Sequence, residues 1–284
     1  MTVIYSILLG LIQGLTEFLP VSSSGHLVLF SNLFGLVDAE ETNLFFDVLL
    51  HFGTLISVCI VYRYEILSML KGFLALFGGR ASAANEDRSE QRSAQRMIML
   101  IVVASLPLLA VYPFKGWLEG IRRIPWLVGV ALLVTGLLLF MSDRWQKGRK
   151  TEKSASFLDA AVIGLMQAVA VIPGLSRSGS TISVGLFRGF KREFAVNFSF
   201  LMSLPAVLAA TVVSLVGAVS DGGINPVLIP YYITGFLVSA VTGFFAIKLV
   251  KYITDKGRFG FFAYYCWIAG AVTIISSIVT KAAG

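Results

Sequence analysis

The sequence predicts an all-α, polytopic membrane protein of six transmembrane helices plus two re-entrant helical hairpins, arranged as an inverted-topology repeat. Three observations predict it. Of 284 residues, 56% are hydrophobic and only 14% charged, with mean hydropathy +0.82; a soluble domain carries roughly 25% charged residues. The apolar runs have helix length and lack the alternating pattern of an outer-membrane barrel. Two of these runs are broken by polar turns, and the broken regions resemble each other.

Taken in order, residues 3–36 form two short apolar pieces around "TEFLPVSSSGH", residues 16–26. Neither piece spans comfortably, so the region reads as a re-entrant hairpin. Spans follow at about 44–62, 97–113 and 124–142, each near the ~20 residues a bilayer needs. Residues 157–187 repeat the broken pattern around "PGLSRSGST". Three more spans follow at about 194–218, 227–247 and 259–280, again of bilayer length. Pro107 and Pro205 fall inside spans, which neighbouring helices tolerate. The charge-dense stretch 80–96, which opens with "RASAANEDRSEQR", reads as a solvated linker. No polar segment is long enough for a second domain, so 1–284 is one membrane domain. Its repeats are 1–142 and 157–284. The N-terminus lacks the basic region of a signal peptide and is expected to be retained. Cys59 and Cys266 lie in apolar spans, as packing residues without a disulfide or metal framework.

A shift of 154 residues places Gly10, Leu11, Gln13, Ser22, Ser24 and Gly25 on Gly164, Leu165, Gln167, Ser176, Ser178 and Gly179. Each hairpin precedes three spans. An odd number of crossings inverts the second unit. The net charge of +7 is not a nucleic-acid signature, because Lys and Arg sit in loops on one side. Six lie in 63–96, five in 143–157, three in 188–192 and four in 248–258. The other side holds Lys115, Arg122, Arg123 and Lys281. The positive-inside rule makes the basic side cytoplasmic and both termini external. The first hairpin then dips in from outside and the second from the cytoplasm, and their tips meet.

Several polar residues are candidates for chemistry. Gln13 and Glu17 are four apart, on one helical face. A membrane carboxylate is functional by default, although Glu17 could instead sit hydrated near the interface or cap a helix. One of Ser22, Ser23 and Ser24 would suffice as a cap; three followed by Gly25 exceed that need. Gly25 permits close backbone approach, and helix-start amides bind anions. His26, beside Glu17 and serines, has the parts for acid–base or nucleophilic chemistry. Ser176, Arg177, Ser178, Gly179 and Thr181 form the second turn. The guanidinium fork of Arg177 suits phosphate, or it pairs with Glu17 without any substrate. Two Gly- and hydroxyl-rich turns around an arginine read as an oxyanion cradle. Asp47 and His51, also four apart, line a cavity at most or bind a cation.

These residues resemble the bacterial undecaprenyl-diphosphate phosphatase family, the type first linked to bacitracin resistance. The family's Glu/Gln-x-x-x-Glu helix running into P-V-S-S-(S/T)-G-H matches Gln13 through His26. Its P-G-x-S-R-S-(G/A)-x-T matches Pro173 through Thr181. Length and repeat layout fit across nearly the whole chain. Position 13 is Gln where some members have Glu, which places the acidic burden on Glu17.

The resemblance implies hydrolysis of undecaprenyl diphosphate to the monophosphate carrier used in peptidoglycan and cell-wall glycan synthesis, with resistance to bacitracin. It implies a divalent cation, Mg2+ or Ca2+, with Glu17 and Gln13 as candidate ligands. It implies a bacterial cytoplasmic membrane and a site opening to the outer face. Expected partners are the polyprenyl diphosphate lipid and the bilayer, without nucleic acid; a homodimer is an assembly the sequence leaves open. Ser23 is the first choice as nucleophile, with Glu17 as base or metal ligand and His26 as proton shuttle or rival nucleophile. Arg177 balances phosphoryl charge. Gln13, Ser22, Ser24, Gly25, Ser176, Ser178, Gly179 and Thr181 are expected to bind substrate. The competing reading is a polyprenyl-phosphate flippase, since inverted repeats with broken helices also mark transporters.

Overall fold

Thr2 opens the first helix: its side chain accepts a hydrogen bond from Tyr5 N, satisfying one amide that a helix start leaves unpaired. The computed structural model describes residues 2–34, 44–75, 85–145, 148–220, 226–256 and 259–283. Among these, the chain is helical, with one isolated bridge between Lys150 and Phe190. The first half comprises α1 (Val3–Phe18), α2 (Ser23–Phe34), α3 (Leu44–Val61), α4 (Arg63–Leu74), α5 (Asn85–Ser105), a 3-10 segment (Leu106–Phe114), α6 (Lys115–Arg122) and α7 (Pro125–Arg144). The second half comprises α8 (Phe157–Val169), α9 (Arg177–Phe187), α10 (Arg192–Ser220), α11 (Ile229–Lys256) and α12 (Gly260–Ala283).

The chain is a multi-pass membrane protein. Five helical stretches among the described residues are long and apolar enough to cross a bilayer: Ser89–Val111, Pro125–Arg144, Arg192–Gly217, Pro226–Thr254 and Gly260–Thr280. A sixth is Phe45–Val61 continued by Arg63–Leu74 across an 82° bend. The short apolar helices α1 and α8 each lead a helical pair, as the broken sequence pattern predicts.

The structure departs from the sequence expectation on the basic side of α3. The stretch 80–96 is not a linker throughout: α5 begins at Asn85, while 80–84 lie outside the described residues. Its run of Glu, Gln, Arg and Ala favours helix. Ala94 packs against Gly72 of α4, and Gln95 Nε2 donates to Gly72 O at 3.1 Å. The second span changes character at Pro107, because the residue before a proline is driven from the α region. The chain continues from Leu106 as 3-10 helix.

Small residues bring the helices close. A Cβ at Gly14 would meet Thr242 Oγ1 and Ser239 O of α11, and one at Gly10 would meet Gly235 O. In the second half, a Cβ at Gly164 of α8 would meet Ala104 O of α5. Thus α1 lies on α11 as α8 lies on α5. Gly129 and Gly136 of α7 receive α12 in the same manner. Small residues at helix contacts are the usual solution where lipid supplies no hydrophobic drive.

The second hairpin is fixed at its base by charge. Ser156 and Asp159 form a reciprocal capping box at the start of α8. The Asp159 carboxylate is fully buried and accepts from Lys150 Nζ and Arg188 Nε, both at 2.8 Å. A buried carboxylate requires such partners.

Candidate active site

Both turns are built by the same local chemistry. Ser22 Oγ accepts from Gly25 N at 3.2 Å, and Ser176 Oγ accepts from Gly179 N at 3.1 Å. Ser22 and Ser24 hydroxyls lie 3.3 Å apart, as do those of Ser176 and Ser178. Each first serine is therefore the cap of the helix that follows. Ser22 also adopts φ 69°, the sole positive value at a non-glycine among the described residues. A non-glycine pays a steric cost there that the surroundings must hold in place.

The two turns touch. Gly174 N donates to Ser24 Oγ at 3.3 Å, and Ser178 Oγ donates to Leu19 O at 3.3 Å. Thr135 of α7 receives the second turn, accepting from Ser176 N at 3.0 Å and donating to Gly174 O at 3.3 Å. Gly179 sits so close to the first turn that a Cβ would lie 3.2 Å from Pro20 Cβ. Because both helices start at this contact, their first amides and positive dipole ends converge.

Glu17 lies at the centre of the contact, with its side chain 9% exposed. Oε1 accepts from Arg177 Nη2 at 2.5 Å. Oε2 accepts from Ser23 Oγ and from Gln13 Nε2, both at 2.9 Å. Gln13 Nε2 also meets His51 Nδ1 at 2.9 Å, and that nitrogen is 3.7 Å from Glu17 Oε2. One carboxylate thus joins the two halves and holds a serine hydroxyl. The second nitrogen of the fork, Arg177 Nη1, is buried with no hydrogen-bond partner among the described residues. A buried donor left unpaired is costly, so a site there for an anion has a physical motive.

The expected residues divide into two groups. Glu17, Ser23, Arg177 and Gln13 form one hydrogen-bonded cluster. Ser22, Ser24, Ser176 and Ser178 direct their hydroxyls into the turns, while Thr181 bonds the backbone of its own helix and a serine of α10. Thr181 Oγ1 meets Arg177 O at 2.8 Å and Ser199 Oγ at 2.7 Å. Gly25 and Gly179 permit the close approach, a Cβ at Gly25 falling 3.1 Å from Leu132 Cδ2. His26 is apart from the Glu17 cluster. Its Nδ1 is 2.7 Å from Ser22 O and its Nε2 2.6 Å from Tyr265 OH. His51 joins the cluster through Gln13, closer to it than sequence spacing implied, and Asp47 lies one turn before it on α3. Thr135 and Tyr265 were not legible in the sequence. Thr135 is one hydroxyl in an apolar span, and Tyr265 is one of several aromatics in "FFAYYCW".

The chain has clear relatives among known proteins. Residues 6–272 match the family described as bacitracin resistance protein BacA. The chain is 40% identical to the undecaprenyl-diphosphatase of Carboxydothermus hydrogenoformans, covering 98% of this chain and 97% of that protein. It is 39% identical to the protein of the same name from Alkaliphilus metalliredigens, over 98% of this chain and all of that one, 100%. With the enzyme of that name from Desulfosudis oleivorans, identity is 42% over 95% of this chain and 97% of the other. With the match running from α1 through both turns and into α12, the chain belongs to the bacitracin resistance protein BacA family.

Proposed function

We propose that this protein is an undecaprenyl-diphosphate phosphatase, releasing inorganic phosphate and undecaprenyl phosphate, and that this activity underlies bacitracin resistance. The observation that carries the reading is Glu17 holding Ser23 Oγ at 2.9 Å while Arg177, bonded to the same carboxylate through Nη2, keeps Nη1 buried without a hydrogen-bond partner among the described residues. A nucleophile within hydrogen-bond reach of a base, with the base held by a third group, is the arrangement of covalent catalysis. Arg177 can grip a phosphate through Nη1 while Nη2 stays on Glu17. The salt bridge and the phosphate site are therefore compatible.

In this reading Ser23 Oγ attacks the terminal phosphorus and the bridging P–O bond breaks. Glu17 takes the hydroxyl proton and passes it to the departing lipid phosphate. Water then attacks the phosphoserine, with Glu17 taking a proton from water and returning it to Ser23. Arg177 and the converging helix starts stabilise the charge on the transferring group. The polyisoprenoid tail requires lipid or an apolar groove, which a membrane-embedded site provides.

We further propose a divalent cation, Mg2+ or Ca2+, held by Glu17 and Gln13. Among the described residues there is no cluster of three His, Cys, Asp or Glu that would hold an ion unaided. The Gln13 amide turns its Nε2 to Glu17 Oε2; rotated half a turn it would present its oxygen there, and one carboxylate and one amide oxygen suit a hard cation whose remaining ligands are phosphate oxygens and water. When bound, such an ion would supply charge neutralisation at the phosphates.

The inverted repeat, the external termini and a site opening outward complete the proposal. They are supported by the matching turns, the exchange of α1 on α11 for α8 on α5, and the basic asymmetry. Lys153, exposed before α8, belongs to the proposed cytoplasmic side. A Lys153→Cys variant in a Cys59→Ala background should resist an impermeant thiol reagent in intact cells and react after lysis. Labelling of intact cells would reverse the orientation.

The function is tested with purified protein in detergent, where vectorial transport is impossible. Phosphate should be released from undecaprenyl diphosphate. Lipid movement across vesicles without phosphate release would put a flippase in the phosphatase's place.

A further inference from the structure

His26 has both ring nitrogens engaged. Ser22 O, 2.7 Å from Nδ1, is a carbonyl and can only accept, so Nδ1 carries the proton. In the neutral ring Nε2 is then an acceptor, and Tyr265 OH, 2.6 Å away, is its donor. The two rings lie parallel, 2° apart in plane with centroids at 5.5 Å. The imidazole is 3% exposed, and neither nitrogen contacts Glu17 or Ser23. The next residue of α12, Cys266, is buried and its Sγ lies 3.6 Å from Pro20 O. Two successive side chains of the last helix therefore hold the first turn.

What His26 holds is the strained position. Its Nδ1–H bonds the carbonyl of Ser22, whose φ of 69° sets the direction of the chain entering Ser23. A backbone in a sparsely populated region persists only when its surroundings over-determine it. The line of contacts runs from Tyr265 OH through the imidazole to Ser22 O, and the next residue places its hydroxyl on Glu17.

We propose that Tyr265 is a positioning residue for the phosphatase reaction. Its hydroxyl donates to Nε2 and so steadies the imidazole in the Nδ1–H tautomer that the Ser22 carbonyl selects, and His26 in turn holds the Ser22 turn that aims Ser23 Oγ at Glu17. The kinetic side of this inference rests on the phosphatase reading above; the tautomer does not. His26 acts here as a strut for the nucleophile, because both nitrogens that could attack phosphorus or carry its proton are already bonded.

The test is Tyr265→Phe, which keeps the parallel ring and removes one oxygen. Loss of a single neutral hydrogen bond that acts on alignment should lower kcat about tenfold. KM should change little, since Arg177 and the helix starts still bind the head group. An unchanged melting temperature separates positioning from general loss of structure. The chain has only two histidines, so spectra of protein labelled with 15N-histidine are assigned by comparison with His51→Gln. Wild-type His26 should show a protonated Nδ1 and a hydrogen-bonded, unprotonated Nε2. In Tyr265→Phe the Nε2 signal should move to that of a free acceptor. Wild-type kcat in Tyr265→Phe, or a wild-type His26 protonated on Nε2 alone, would overturn the proposal. Wild-type protein that releases no phosphate from undecaprenyl diphosphate would instead overturn the phosphatase reading, and the spectra alone would then decide whether Tyr265 fixes the ring.

Discussion

Ser23→Ala should lower phosphate release from undecaprenyl diphosphate by at least about a thousandfold, the scale on which removal of a nucleophile is felt. Substrate binding should survive, because Arg177 and the two helix starts are untouched. The geometry makes this substitution cleaner than the sequence suggested. Capping of α2 falls to Ser22, whose Oγ accepts from Gly25 N, so removing the Ser23 hydroxyl leaves the helix start intact. The melting temperature should therefore barely move. Trapping of a phosphoserine at position 23 in acid-quenched wild-type enzyme would complete the assignment. If His26 were the nucleophile, His26→Ala would be dead and Ser23→Ala only impaired. Equal, modest losses in both would remove Ser23 from the chemistry.

Arg177→Lys should cost on the order of a hundredfold or more in kcat/KM although the charge is kept. Arg177 Nη2 is committed to Glu17 Oε1 at 2.5 Å, while Nη1 is buried and unpaired. A planar fork can hold the carboxylate with one nitrogen and a phosphate with the other. An ammonium is a single point of charge and cannot divide itself in that way. Lysine should keep the ion pair and hence most of the fold, so a small change in melting temperature with a large kinetic loss is expected. Near-normal turnover would make Arg177 a structural partner of Glu17 alone.

The hairpins were legible because an apolar run that stops at Pro20 and resumes after Ser24 leaves two pieces too short to span. The contact between the turns was legible in the shared offset of Ser22, Ser24 and Gly25 with Ser176, Ser178 and Gly179. Pairing of Glu17 with Arg177 was legible only as one of two readings, the other being an arginine given to phosphate. What could not be read depends on tertiary partners. The bend after α3 falls at Tyr62, which is neither Pro nor Gly; its buried hydroxyl donates to Asn197, 135 residues later in the chain. The start of α5 at Asn85 was hidden by charge density that reads equally as linker. Tyr265 meets His26 across 239 residues, and nothing near either announces the other. The serines were legible as a group but not as individuals, because a cap and a nucleophile are the same residue type until their partners are known.

The ion pair between Glu17 and Arg177 joins residues 160 positions apart. A ribosome finishes the first hairpin long before it makes the second. During that interval Glu17 has Gln13, Ser23 and the titratable His51 beside it but no permanent counter-charge. The second hairpin likewise arrives with an arginine whose nearest carboxylate partner was made much earlier. Each hairpin is electrically incomplete until the other docks, so burying the pair closes the assembly and creates the reactive centre in one event. A chain stalled halfway through biosynthesis has a reason not to settle, and a chain that has settled already holds its nucleophile on its base.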